Sequence, residues 1–116
     1  MCNKRNMEYM IKKNNFLCII ILLIGFSKIG KTTLIKRLST ENRKYLDLTE
    51  PSLRVMANDE PVLFLQRYAP PVLIDNIQYA PELVPLIKDY ALKHGKPGDF
   101  WLIAPKEDAE TITAIM

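Results

Sequence analysis

The stretch GFSKIGKTT, running Gly25, Phe26, Ser27, Lys28, Ile29, Gly30, Lys31, Thr32, Thr33, follows an apolar run and precedes a segment with helical spacing of apolar residues. Its Gly25, Gly30, Lys31 and Thr32 fill the spacing G-x-x-x-x-G-K-[ST]. Each residue type has a chemical reason. Glycines let the backbone curl so that successive N–H groups point inward at phosphate oxygens, and the N-terminus of the following helix adds its partial positive charge. A lysine at position 31 reaches the outer phosphates, and a hydroxyl at position 32 holds Mg²⁺. The nine residues from Gly25 to Thr33 are therefore the candidate cofactor-binding set, with a nucleotide's phosphates and Mg²⁺ as the expected ligands.

Working outward from that loop, the Ile-rich run Phe16–Ile24 reads as a first strand buried on both faces. Lys31–Ser39 fits a helix carrying Leu34, Ile35 and Leu38 on one side. Tyr45–Leu48 is a short second strand. Thr49-Glu50-Pro51 then has the form of a helix start, with Leu53, Met56 and Ala57 turned inward. Pro61–Tyr68 is a second short helix offering Leu63, Phe64 and Arg67, closed off by Pro70-Pro71. Val72–Asp75 is the third strand. Pro81 opens a helix to about His94 with Leu83, Leu86, Ile87, Tyr90 and Ala91 at core spacing, and Gly95 ends it. Asp99–Ala104 is the fourth strand, and 105–116 can form one more short helix. Strands alternating with helices predict an α/β fold: a three-layer αβα arrangement around a parallel sheet of about four strands.

The balance of residue types is that of a soluble globular chain, with 48% apolar and 25% charged residues in 116. The net charge of +3 is accounted for by residues 1–15, where Lys4, Arg5, Lys12 and Lys13 face only Glu8. The rest is neutral, so there is no electrostatic case for a nucleic-acid surface, and the leader reads as a basic, flexible, solvated segment. Cys2 and Cys18 suggest no disulfide framework. A basic leader before FLCIIILLIGF imitates a signal or membrane anchor. Eleven apolar residues are too few to span a bilayer, however, and the phosphate-binding loop stands where a cleavage site belongs. The expected location is cytoplasmic.

In sheets of this kind ligands lie beyond the carboxyl ends of the strands. Asp75 ends an apolar strand and is the candidate metal carboxylate beside Thr32. Together these segments resemble the prokaryotic AAA-type P-loop ATPases that carry a C-terminal, nuclease-like domain. That family typically shows GPRQVGKTT as its Walker A loop, then LDDPxxRxxAxxDPxxFL, then PVLIDEIQ-x-AP as its Walker B strand. Here the corresponding stretches are GFSKIGKTT, LTEPSLRVMANDEPVLFL and PVLIDNIQYAP, in the same order and spacing. The resemblance covers about residues 17–102 and implies an ATPase core with ATP as its nucleotide, and with Asp75 and Asn76 at the catalytic positions.

The departures from that pattern carry expectations of their own. Asn76 stands where the family has glutamate, and an amide cannot take a proton from water, so hydrolysis is expected to be impaired. Where the family continues WLTGSQ, this chain reads Trp101-Leu102-Ile103-Ala104-Pro105, with no polar side chain to sense a phosphate. A second acid, Glu50 or Asp47, would support slow turnover, and Arg54 and Arg67 are the candidates for the arginine that the resemblance implies a neighbouring subunit supplies. The expected division is a leader at 1–15, a partial ATPase core at 16–104 and a divergent tail at 105–116, the picture of a truncated protein. In the strand order the resemblance implies, Cys18–Ile24 would be an open, apolar sheet edge prone to self-association.

Overall fold

Among the described residues, four parallel strands and one antiparallel edge strand form the sheet, in the order β1-β2-β5-β4-β3. The computed structural model describes residues 10–12, 20–24, 43–96 and 98–115. The strands are β1 Met10–Lys12, β2 Ile20–Ile24, β3 Lys44–Asp47, β4 Val72–Asp75 and β5 Phe100–Ala104. The helices are α1 Pro51–Asp59, α2 Pro61–Arg67, α3 Leu83–His94 and α4 Ala109–Ile115. The expected helix Lys31–Ser39 and the front of the expected first strand lie outside the described residues.

The chain steps from β3 through α1 and α2 to β4, and from β4 through α3 to β5, moving the same way across the sheet each time. Right-handed crossovers put these helices on one face. Alternation along the strands delivers the apolar side chains to that face: Leu46 from β3, Val72 and Ile74 from β4, and Phe100, Leu102 and Ala104 from β5. They meet Ala57 of α1, Phe64 of α2, Leu83, Val84, Ile87 and Ala91 of α3, and Ile112 of α4 in one cluster. Tyr90 packs edge-on against Phe100, ring centroids 5.6 Å apart. The intervening residues Leu73 and Ile103 are buried as well, so β4 is covered on both faces as a central parallel strand should be.

Local chemistry sets the helix starts. Glu50 is the N-cap of α1, its carboxylate accepting from the Ser52 and Leu53 N–H groups, with Pro51 in the first turn. Pro61 opens α2. Pro85 is the third residue of α3, where the backbone N–H has no intrahelical partner, so the helix loses no hydrogen bond there. The Pro70–Pro71 bond is cis. Of the residues this helix was expected to offer, Leu63 is 45% exposed and Phe64 takes the core position, with Leu65 packed beside it.

The open edge expected at Cys18–Ile24 is corrected by β1. Met10, Ile11 and Lys12 pair antiparallel with Leu23, Leu22 and Ile21, on the side of β2 away from β5. The second and fourth strands and the helix of α3 otherwise fall within one or two residues of expectation, and β4 and the tail helix occur where the pattern put them.

Candidate functional site

Parallel strands bring their carboxyl ends to one edge, and there the register sets Asp47 of β3 beside Asp75 of β4 and Asp75 beside Ile103 of β5. Asp75 is 1% exposed, the one charged residue buried to that degree among those described. A buried carboxylate needs hydrogen-bond donors. One comes from Tyr45, which lies two residues before Asp47 and so shares its face of β3; its hydroxyl donates to Asp75 Oδ2 at 2.5 Å. Burial first, then this hydrogen bond, then the negative charges of Asp75 and Asp47 push the Tyr45 phenol well above the ordinary tyrosine range, so it stays a donor.

Asp47 is half-buried and accepts through Oδ1 from the Thr49 N–H at 3.0 Å and from the Asn76 carboxamide nitrogen at 2.9 Å. Asn76 sits in the left-handed region, φ 61° and ψ 47°, a conformation that asparagine tolerates better than longer side chains do. It caps a single 3₁₀ turn, Ile77–Tyr79, which swings Gln78 back over it; the Gln78 amide nitrogen donates to Asn76 Oδ1 at 3.3 Å. Gln78, Asn76 and Asp47 thus form a run of side chains donating toward a carboxylate. Gln78 Oε1 is buried and has no partner among the described residues.

Other residues singled out in the sequence are engaged elsewhere. Glu50 is exposed and bound to the start of α1, and the Ser52 hydroxyl together with the two N–H groups lowers its pKa below the usual carboxylate range. Arg54 lies over the Tyr79 ring at 4.1 Å, held there while Asn58 bonds the Tyr79 carbonyl, and Arg67 lies 5.8 Å from the Tyr68 ring. His94, in the last turn of α3, lies tilted against the Tyr90 ring, centroids 5.5 Å apart. Beside Asp75, β5 ends in buried Ile103 and Ala104, with no polar side chain at that position.

The candidate loop residues Gly25, Phe26, Ser27, Lys28, Ile29, Gly30, Lys31, Thr32 and Thr33 lie outside the described residues. The chain enters that loop from Ile24, the last residue of β2, which pairs with Ala104 at the same carboxyl end of the sheet as Asp75. Sequence reasoning missed Tyr45 and Gln78 as parts of the site. Tyr-x-Asp alternation on a strand ending beside Asp75 was the available signal for Tyr45; nothing local announced that the turn after Asn76 folds Gln78 back.

Among the described residues no helix is long and apolar enough to cross a membrane, and no three His, Cys, Asp or Glu residues gather as a metal cluster. A family model described as AAA domain matches residues 19–107, which include the Gly25–Thr33 loop, Asp75 and Asn76. No curated protein and no solved structure matches.

Proposed function

The chain belongs to this family of AAA domains, and on that basis we propose that it binds ATP with Mg²⁺ through the Gly25–Thr33 loop and turns it over slowly. The observation that carries the reading is Asp75, a carboxylate buried to 1% exposure at the end of β4, on the sheet edge from which the loop departs. In this reading Gly25, Gly30 and their neighbours wrap phosphate oxygens with backbone N–H groups. Lys31 offsets the outer phosphate charge, and Thr32 and Asp75 provide the hard oxygen donors that suit Mg²⁺. Bound Mg²⁺ supplies charge neutralisation at the phosphates. Tyr45 holds Asp75 in place through its hydroxyl.

Slow turnover follows from what surrounds the carboxylate. Asn76 has no acid group, and its amide is already shared between Asp47 and Gln78. Ile103 and Ala104 offer nothing to sense a phosphate. Calorimetry with a non-hydrolysable ATP analogue and Mg²⁺ tests the reading: the wild type should bind and Lys31→Ala should not. Silence from both, with circular dichroism showing folded protein, would sink it.

A further inference from the structure

We infer that the proton acceptor for ATP hydrolysis in this chain is Asp47, delivered from β3, with Asn76 and Gln78 as the amides that position it. The inference rests on the ATP-binding reading and names the residue that performs its slow step. Three observations converge. Asp47 ends β3 in register with Asp75, so it stands one strand from the candidate metal carboxylate, at the carboxyl end where ligands of parallel sheets lie. It is half-buried, which gives it access to solvent for returning a proton. Asn76, the residue that follows Asp75, donates to Asp47 Oδ1 at 2.9 Å, and Gln78 donates in turn to Asn76 at 3.3 Å. The position after Asp75 is thereby tied to a carboxylate rather than being one.

Gln78 Oε1 calls for a donor of its own. It is a buried acceptor with no donor among the described residues, and such an atom is costly unless a donor such as water reaches it. In the proposed step a water oxygen bonds to the terminal phosphorus of ATP while one water proton passes to the Asp47 carboxylate. The bond from that phosphorus to the bridging oxygen breaks, and its electron pair leaves with ADP. Inorganic phosphate is released, and Asp47 returns its proton to solvent.

The test pairs calorimetry of a non-hydrolysable ATP analogue with single-turnover release of phosphate from ATP, both with Mg²⁺. Asp47→Asn keeps the shape and the acceptor for Thr49 and Asn76. It should bind the analogue as the wild type does and release phosphate about 100-fold more slowly, the lower range for losing a general base. Exchanging the two groups, Asp47→Asn with Asn76→Asp, retains one acid and one amide in contact and should recover part of the rate. Thermal midpoints give a readout apart from turnover: Asn76→Asp alone sets two carboxylates at a contact now 2.9 Å long and should fall, while the exchanged pair should return toward wild type. If the analogue binds but Asp47→Asn releases phosphate as fast as wild type, or if the folded exchange variant stays as slow as Asp47→Asn, the inference is overturned and ATP binding stands. If wild type binds no analogue, the binding reading fails and this one falls with it.

Discussion

The Tyr45 hydroxyl donates to Asp75 Oδ2 at 2.5 Å, so a half-exposed tyrosine on one strand holds the buried carboxylate at the end of the next. The same oxygen belongs to the residue assigned to the Mg²⁺ shell, and the two uses compete. Tyr45→Phe should therefore have opposite effects on fold and ligand. Without Mg²⁺ it leaves a buried carboxylate short of a donor, at a cost of about 1–3 kcal/mol in denaturant unfolding. With Mg²⁺ and a non-hydrolysable ATP analogue the metal's waters can take the place of the hydroxyl, so the deficit should shrink and the Mg²⁺ dependence should tighten. An identical deficit under both conditions would show that hydroxyl and metal do not share Asp75.

Restoring an acid at position 76 by itself should not restore hydrolysis. A glutamate there meets two obstacles that an asparagine avoids. The left-handed backbone at φ 61° disfavours longer side chains by ~1 kcal/mol, and the Asp47 carboxylate occupies the place where the Asn76 amide now donates. Asn76→Glu should lose stability and gain no phosphate release. Adding Asp47→Asn should relieve the charge contact and raise both. A single Asn76→Glu variant that is faster and equally stable would mean that the side chain leaves Asp47 altogether.

The cap of α1 should show in the acid limb of the stability curve. Glu50 has its pKa lowered in the folded state, first by the Ser52 hydroxyl and then by the Leu53 and Ser52 N–H groups. A carboxyl whose folded pKa lies below its unfolded value adds stability above the unfolded pKa and loses it as pH falls through the folded one. Glu50→Gln should accordingly unfold at a lower temperature than wild type at pH 7, and the gap should close as the pH drops below the normal glutamate range. A gap that stays constant from neutral to acid would assign the effect to packing instead of charge.

Legibility differed with the range of the interaction. β4 could be read because four apolar or terminal positions, Val72 to Asp75, are bounded by two prolines and a turn, and α3 because its apolar spacing runs from Leu83 to Ala91 between a proline and Gly95. Asp75 was legible for the same reason: it is the polar residue that ends an apolar strand. The contacts that give it meaning were not. Tyr45 and Asp75 are 30 residues apart, Asp47 and Asn76 are 29 apart, and only the β3–β4 register brings either pair together. β1 was missed because three residues inside a charged leader carry no period long enough to read, whereas pairing with β2 supplies the order from outside.

That short strand leads to a prediction about association. β1 takes up backbone groups of Ile21, Leu22 and Leu23 that would otherwise face another chain, and unpaired strand edges recruit copies of themselves. Along an antiparallel strand, adjacent residues aim their N–H groups in opposite directions, so only one of Ile11 and Lys12 donates toward β2. Proline removes the donor and fixes φ near the helical value, which an inner ladder position does not tolerate. Of the two variants Ile11→Pro and Lys12→Pro, the one that removes the inward donor should unzip β1. Sedimentation velocity at micromolar concentration should then find that variant as dimers and larger species, while wild type and the other proline variant stay closer to one another. If both proline variants sediment like wild type, β1 is not what keeps the β2 edge from pairing with a second copy.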